Sequence, residues 1–339
     1  MATFTETKRE IKSAENQLGS KQDITFHCEG KDANGNSQWI TAILDGHSSE
    51  SGKNPYTSKY EKYNFCVEAL KKFKEDGRLL AILSAPITTE SNPAILLQQA
   101  LGEEAKKYRT NMLKTGATLA LAQISHIGDK IKISTLSVGD STVLIHCNGE
   151  QVYETSPHDY TNQAEIERLL QEKRFKDPSN QLFDGPNFEF ADETFIVNKT
   201  GKYIDTKKVS LAMTQSIGHL EYSALTAKIV EPLGALGLCP EIRDFEFNDT
   251  DNINLKVFSD GVSDMMNTTT IPDDAHFLAT SDAQSTVDFA TSRWKKEWKY
   301  CIRSDYENGK EAKEKIPFSI FSFGSSGMDD TSCVCWMQY

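Results

Sequence analysis

The stretch Trp39-Ile40-Thr41-Ala42-Ile43-Leu44-Asp45-Gly46-His47 decides how the rest of the chain is organised. Its apolar run predicts a buried strand that ends in a carboxylate, a glycine and a histidine. Carboxylates are natural ligands of hard divalent cations, and a histidine beside them can transfer protons. An isolated Asp-Gly-His is more often a strand that ends in a turn. The chemical interpretation therefore depends on what the other strand ends carry.

The composition is that of a soluble, globular and acidic protein. The chain has 339 residues, of which 25% are charged and 38% hydrophobic, with a formal net charge of −12. This charge disfavours binding to phosphate backbones and to anionic membrane surfaces. No apolar run reaches the roughly 18 residues that a spanning helix needs, and the N-terminal residues lack the apolar core of a signal peptide. We therefore expect neither a nucleic-acid partner nor a membrane partner.

The cysteines point to a reducing compartment. Their number is odd and no Cys-x-x-Cys occurs, so a disulfide framework or a zinc site is not expected. We expect a cytoplasmic protein, or a nuclear one. The seven cysteines are Cys28, Cys66, Cys147, Cys239, Cys301, Cys333 and Cys335.

Two of the acids lie at neighbouring strand ends. The alternation of apolar and polar residues over 23–29 predicts a half-buried strand, and 31–36 form a turn around Asn34-Gly35. Residues 37–44 return as the antiparallel partner. Asp23 thus begins one strand and Asp45 follows the end of the other, which places both at the same end of the sheet.

The rest of the pattern predicts one α+β domain over residues 1–339, because neither an internal repeat nor a linker divides the chain. Residues 1–19 read as a polar N-terminal extension with little helical character, and residues 175–239 as an irregular flap or insert. Helices are predicted at 60–74, 93–108, 161–174 and, from a capping box at Ser281, to about residue 300. Further strands are predicted at 116–125, 130–138, 142–147, 151–154, 244–247, 254–258, 319–323 and 333–337.

Six acids stand at or near the ends of these strands. Carboxylates brought together repel one another unless cations neutralise them, and a set with no His/Cys cluster suits magnesium or manganese better than zinc. Two such ions about 3.5–4 Å apart activate a water and clamp a phosphate, which predicts metal-assisted hydrolysis of a phosphoester. Acids of this kind are also common in turns, and their proximity is a prediction. The six are Asp23, Asp45, Asp140, Asp260, Asp264 and Asp329.

The order of the motifs resembles the metal-dependent serine/threonine protein phosphatases of type 2C (the PPM/PP2C family), over nearly the whole chain from Asp23 to about Met337. The family's Asp-Gly-His-Gly is similar to Asp45-Gly46-His47, and its Ser-Asp-Gly-x-x-Asp to residues 259–264. The family's remaining motifs are similar to Gly116-Ala117-Thr118, Val138-Gly139-Asp140-Ser141, the stretch 211–219, and Asp329-Asp330-Thr331-Ser332-Cys333-Val334. The last of these stretches has one residue fewer before its threonine than the family's motif.

The resemblance implies a four-layer αββα sandwich of two antiparallel sheets flanked by helices, with metals at one end. It implies that Asp45, Asp260, Asp329 and the Gly46 carbonyl hold two core Mg²⁺ or Mn²⁺ ions, and that Asp23 contacts a metal directly or through water. Asp140 and Asp264 would form a weaker third site. A hydroxide that bridges the two ions would attack the phosphorus directly, and His47 would protonate the leaving serine or threonine oxygen. The implied substrate is a phosphorylated protein, and a monomer is expected.

Four positions depart from the family pattern. The arginine that binds phosphate in eukaryotic members is absent, and only Lys21 lies in that stretch, where it is a weak phosphate ligand or a surface lysine. The glutamate before the first acid is Gln22. The last glycine of the first motif is Ser48, which should avoid glycine-only backbone angles. In the flap motif, Gln215 and His219 replace the arginine and the aspartate, so substrate handling there is an open question.

Two other functions stay open. A pseudophosphatase would keep the fold as a binding or scaffold module, and the four departures favour it, whereas the retained acids and His47 oppose it. A phosphatase of a small phosphorylated metabolite would have the same metal centre. Among the other histidines, His158 reads as a helix cap or surface residue, and His126 and His146 as packed residues beside strands.

Overall fold

The computed structural model describes residues 8–32, 34–171, 181–191, 196–205, 210–230, 238–266, 271–303, 319–324 and 327–339. In chain order, the strands are β1 (Arg9–Asn16), β2 (Ile24–Lys31), β3 (Ser37–Leu44), β4 (Gly46–His47), β5 (Glu50–Lys53), β6 (Tyr60–Tyr63), β7 (Gly116–Ala117), β8 (Leu119–Ile127), β9 (Lys130–Val138), β10 (Thr142–Cys147), β11 (Glu150–Glu154), β12 (Gln181–Ala191), β13 (Ile196–Asp205), β14 (Ser210–Leu211), β15 (Ile217–Gly218), β16 (Glu221–Ser223), β17 (Lys228–Val230), β18 (Glu241–Asn248), β19 (Ile253–Phe258), β20 (Glu297–Arg303), β21 (Ser319–Ser322) and β22 (Thr331–Gln338). The helices are α1 (Phe65–Glu75), α2 (Arg78–Leu83), α3 (Pro93–Tyr108), α4 (Gln163–Gln171), α5 (Asp260–Ser263), α6 (Pro272–Thr280) and α7 (Ala283–Trp294).

Two five-stranded antiparallel sheets form the centre of the fold. Their strand orders are β18-β9-β8-β3-β2 and β1-β22-β19-β10-β11. The inner faces share one apolar core, in which Trp39 of β3 packs against Trp336 of β22 with ring centroids 5.6 Å apart. A second core lies between the first sheet and α1–α3, and a third between the other sheet and α5–α7. The expected α+β fold, a four-layer αββα sandwich, is thus confirmed.

The strand registers bring the motif-bearing ends together at one end of each sheet. In the first sheet Ile24 pairs with Leu44, so Asp23 and Asp45 are adjacent, as the hairpin predicted. In the second sheet Phe258 pairs with Cys333, so the loops that carry Asp260 and Asp329 lie side by side. The Asp140 turn enters β10 at this same end, because Thr142 pairs with Phe258.

Several predicted elements differ from the structure. The polar stretch at the N-terminus contains β1, whose Arg9 pairs with Gln338 at the edge of the second sheet. Residues 60–63 are a strand that precedes α1, and α7 is capped by Asp282, not by Ser281, and ends at Trp294. In the region expected to be irregular, β12 and β13 are long paired strands.

None of the helices in the described part of the chain combines the length and apolar character that a membrane-spanning segment requires.

Candidate metal centre

A cavity of about 200 Å³ opens at the end of the sandwich where these loops meet. Four of the six predicted acids line it together with His47, whereas Asp23 lies buried beside Asp45 and Asp264 is adjacent to Asp260 and Asp329. None of the described residues that line the cavity is a lysine or an arginine. The lining residues are Ser20, Gln22, Asp45, Gly46, His47, Ser48, Thr118, Asp140, Met213, Asp260 and Asp329.

Hydrogen bonds from Thr118, which lies between β7 and β8, hold the backbone of Asp45. Its N–H donates to the hydroxyl of Thr118 at 3.2 Å, and its carbonyl accepts from the N–H of Thr118 at 2.8 Å. The Thr118 hydroxyl lies 2.7 Å from that of Ser141, in the turn that carries Asp140. Gly139 permits this contact because it has a φ of 96°, and a Cβ there would lie 2.6 Å from the Thr118 side chain. The motifs at 116–118 and 138–141 thus fix the position of the motif at 45–47.

The acids Asp260, Asp264 and Asp329 form a compact cluster. Each offers a carboxylate oxygen, and these oxygens lie within 4.8 Å of one another. Asp260 begins the single turn of α5, Asp264 directly follows that turn, and Asp329 precedes β22. Gly261 allows α5 to approach the loop before β22, because a Cβ at that position would lie 2.1 Å from the carbonyl oxygen of Asp330.

Asp330, next to the cluster, has a structural task. Its carboxylate accepts hydrogen bonds from the N–H groups of Gly19 and Gln22, at 2.7 and 2.9 Å, and from the hydroxyl of Ser20 at 3.2 Å. It therefore ties the loop that precedes Asp23 to the second sheet. These hydrogen bonds explain how Asp23 and Asp329, from opposite ends of the chain, come to lie in one site.

The buried carboxylates at this site favour the binding of a cation. Burial, followed by the charges of neighbouring carboxylates, raises the pKa of Asp45 well above its usual range. Burial also raises the pKa of Asp23 to about 7. Buried like charges destabilise a folded protein unless a counter-ion is bound, and a set of oxygen donors suits a hard cation such as Mg²⁺ or Mn²⁺. The residues present therefore fit the metal ions that the sequence predicted.

His47 lies at the edge of the cavity, and its imidazole contacts a second histidine. The Nε2 atoms of His47 and His219 are 2.9 Å apart, and the rings stack with centroids separated by 5.1 Å. Burial, followed by the charge of His219, lowers the pKa of His47 well below its usual value. The sequence marked His219 as a departure in the flap motif but gave no sign of this contact, because it depends on the pairing of distant strands.

The structure also locates the other departures. Lys21 is exposed, lies outside the acid cavity and lines a neighbouring one of about 370 Å³. Ser48 has a φ of 64°, in the left-handed region, which is uncommon for serine but is not restricted to glycine. Gln215 is buried and joins Glu165 to the backbone of Cys239, which is a structural contact.

Two of the remaining histidines are packed inside the fold. His158, expected to be a cap or surface residue, is only 4% exposed, and its Nδ1 accepts a hydrogen bond from the N–H of Gly139 at 3.1 Å. That prediction was wrong because the side chain turns inward to support the Asp140 turn. His146 is buried in β10 as expected, whereas His126 lies beside Asp249 and is partly exposed.

Comparison with known proteins identifies the family. The family model for protein phosphatase 2C matches residues 13–285. Similar solved structures include a serine-threonine phosphatase 2C from Toxoplasma gondii (11% identity, TM-score 0.48, covering 98% of this chain and 95% of that one). Others are the Mycobacterium tuberculosis serine/threonine phosphatase PstP/Ppp (12%, 0.42, 97% and 98%) and a C. elegans sex determining protein (13%, 0.49, 99% and 66%).

No curated protein matches the chain by sequence. The family match covers far more than half of the 339 residues and includes the first five motifs that the sequence resembled. The chain belongs to the protein phosphatase 2C family of metal-dependent serine/threonine phosphatases.

Proposed function

We propose that this phosphatase removes phosphate from phosphoserine and phosphothreonine residues of proteins, using two Mg²⁺ or Mn²⁺ ions held by Asp45, Asp260 and Asp329. The observation that carries this proposal is the cavity in which these three acids meet beside His47. When bound, the ions supply an activated water and neutralise the phosphate. The Gly46 carbonyl is a further metal ligand in this proposal.

The other acids have supporting roles in this proposal. Asp23 is 2% exposed and adds negative charge behind Asp45, which favours a bound cation there. Asp264 lies with Asp260 and Asp329 in one cluster, and Asp140 lines the same cavity. A third, weaker ion would bind between Asp140 and Asp264.

His47 is the proposed general acid. A serine or threonine alkoxide is a poor leaving group and needs a proton as the P–O bond breaks. His47 directly follows the metal-binding Asp45-Gly46 and lines the cavity, so it can supply that proton. General acid catalysis of this kind contributes about 10²- to 10⁴-fold to a rate.

The surface beside the metal centre supports a peptide substrate. The neighbouring cavity of about 370 Å³ shares Ser20 and Gln22 with the acid cavity and is also lined by Lys21, Lys62 and Lys71. A phosphorylated side chain in the metal centre would leave its flanking residues near this second cavity. Because no cationic side chain lines the acid cavity, phosphate binding would depend mainly on the metal ions.

The test is release of phosphate from a phosphothreonine peptide, an aryl phosphate and glycerol phosphate. The wild type should hydrolyse the peptide with Mn²⁺ and lose this activity in a chelator. Asp260→Asn should lower the rate by more than about 100-fold, since even residues that only support metal ligands contribute about 10- to 100-fold. Asp273→Asn, on the exposed first turn of α6, is the matched control and should act like wild type.

The outcomes separate the alternatives. A wild type that binds Mn²⁺ but hydrolyses none of the three substrates would favour a scaffold role, for which the absence of a cationic side chain in the described cavity lining is the supporting observation. Preference for glycerol phosphate over the peptide would favour a metabolite phosphatase. Equal rates for Asp260→Asn and the wild type would overturn the proposed site.

We also propose a monomer in a reducing compartment, the cytoplasm or nucleus. Six of the seven cysteines, all except Cys301, are found free, which is compatible with that environment. Light scattering after size-exclusion chromatography would test the oligomeric state.

A further inference from the structure

A partly exposed histidine, His47, meets a buried one, His219, behind the proposed metal centre. Nε2 of His47 lies 2.9 Å from Nε2 of His219, and Nδ1 of His219 lies 2.8 Å from the carbonyl oxygen of Leu113. His219 is 2% exposed. The second ring occupies the position where the family motif has an aspartate, so the contact is a property of this chain's own sequence.

The positions of the protons follow from these contacts. A carbonyl oxygen can only accept, so Nδ1 of His219 carries a hydrogen and donates it to Leu113. Burial lowers the pKa of His219 to about 4, so the ring is neutral at pH 7 and its Nε2 has a lone pair. Two lone pairs 2.9 Å apart would repel each other. The hydrogen between the rings therefore belongs to Nε2 of His47.

A small sheet holds the two rings in place. Its order is β15-β7-β4, and Gly116 of β7 pairs with His47 on one side and with Gly218 on the other. A Cβ on Gly116 would lie 2.6 Å from Nε2 of both rings and from the hydroxyl oxygen of Ser216. The rings thus fill the space left by a missing side chain.

The backbone at Gly218 and His219 also has an unusual conformation that supports this contact. His219 has a φ of 52°, in the left-handed region that few residues other than glycine occupy, and Gly218 before it has a φ of 97°. The side chain of Gln98 fixes this turn, because it accepts from the N–H of Gly218 at 2.7 Å and donates to its carbonyl at 3.0 Å. Unusual backbone angles that the surroundings enforce occur often at functional sites.

Of the two ring nitrogens of His47, only Nδ1 is available for proton transfer. Nε2 is occupied by His219 and lies 3.1 Å from the hydroxyl of Ser216, whereas Nδ1 is buried and has no hydrogen-bond partner among the described residues. We propose that His219 is a positioning residue, which accepts the Nε2–H of His47 and so keeps that ring in the tautomer and orientation that present Nδ1 to the substrate. In that tautomer Nδ1 carries no hydrogen at rest, so it would first accept a proton from the attacking water and then give that proton to the leaving oxygen. This inference rests on the proposed role of His47.

Two substitutions separate the two contacts of His219. His219→Asn tolerates the left-handed backbone and can still donate to Leu113, but it lacks an acceptor at the position of Nε2. His219→Gln places an amide oxygen near that position and gives up the donor to Leu113. His276→Asn, on the exposed surface of α6, is the control.

The kinetic readout compares two leaving groups. In His219→Asn, kcat for a phosphothreonine peptide should fall roughly 10- to 100-fold, as expected for a misplaced reacting group, with little change in KM. The rate with an aryl phosphate, whose leaving group needs no proton, should change much less. His219→Gln should recover part of the loss, and His276→Asn should show none. Equal losses on both substrates, or no loss on the peptide, would overturn the proposal.

A spectroscopic readout does not depend on activity. In ¹⁵N-histidine-labelled protein with Mg²⁺, long-range ¹H–¹⁵N spectra should show His47 as the Nε2–H tautomer, assigned by its disappearance in His47→Gln. In His219→Asn this preference should weaken. A wild-type His47 protonated on Nδ1 would overturn the proposal. An inactive wild type would overturn the proposed function along with the catalytic part of this inference, whereas an active wild type with an unchanged His219→Asn would overturn this inference alone.

Discussion

At the scale of single residues, glycines decide how closely the polar groups approach one another. Gly116 lies against both imidazoles, Gly139 against Thr118, and Gly261 against the backbone of Asp330. The sequence showed each of these glycines inside a motif. The reason why these positions require glycine lies in the residues that pack against them, and those residues come from distant parts of the sequence.

Gly116→Ala should therefore damage the site more than the fold. Its Cβ would lie 2.6 Å from Nε2 of His47 and of His219, closer than atoms can approach without displacement. We expect kcat on a phosphothreonine peptide to fall about 100-fold, because a shift near 1 Å at a reacting group costs that much. Circular dichroism should show a native fold, and a fully active variant would contradict the described ring pair.

At the scale of secondary-structure elements, local signals predicted some segments well. The bounds of α3 were predicted correctly, since Asn92 caps it and Pro93 opens it. The antiparallel hairpin of β2 and β3 followed from its alternation and its Asn-Gly turn. These elements are specified by neighbours in sequence, which is why a single sequence was enough.

Other elements depend on partners far along the chain. β1 is polar and forms the sheet edge, so its period of two is weak, and its partner β22 lies at the opposite end of the sequence. The contact between His47 and His219 likewise arises from the register of β4, β7 and β15. No local pattern can report such long-range pairings, and this is the part of the site that the sequence missed.

The loop before β2 should depend on Asp330. Asp330→Ala would leave the half-buried N–H groups of Gly19 and Gln22 without their acceptor, which costs at most about 1–3 kcal/mol for each group and less where water replaces the carboxylate. Asp330→Asn keeps one acceptor oxygen and should lose less. Urea denaturation measures both free energies of unfolding, and an alanine variant as stable as wild type would contradict this role.

The strand β10 should add a pH dependence to stability. Burial, followed by the charge of Lys256, lowers the pKa of His146 to about 4, whereas an unfolded histidine titrates near pH 6.5. Between these values the unfolded chain binds the proton and the folded chain does not, so stability falls as the pH drops from about 6.5 to 4. The slope from this residue is at most about 1.4 kcal/mol per pH unit.

His146→Gln removes this contribution. In the presence of a chelator, the variant should gain stability relative to wild type as the pH falls from about 6.5 to 4.5. The acid cluster titrates in both proteins, so it cancels from the difference. Parallel curves of unfolding free energy against pH would contradict the assigned state of His146.

At the scale of the whole molecule, the sandwich brings residues from the entire sequence to one end. Asp23 and Asp45 come from the first sheet and its hairpin, and Asp260 and Asp329 from the strand pair of the second sheet. Each sheet alone would present an incomplete set of acids. The shared core between the sheets therefore both stabilises the fold and holds the two halves of the centre in register.

The most direct test of this account is the binding of Mn²⁺ to the apo-protein by isothermal titration calorimetry. The acids predict two tightly bound core ions per chain in the wild type, besides the weaker third, and a loss of at least one core ion in Asp260→Asn, with Asp273→Asn unchanged. Binding to the folded state should also raise the melting temperature of the wild type. An absence of binding at millimolar Mn²⁺, or identical isotherms for wild type and Asp260→Asn, would contradict the proposed metal centre.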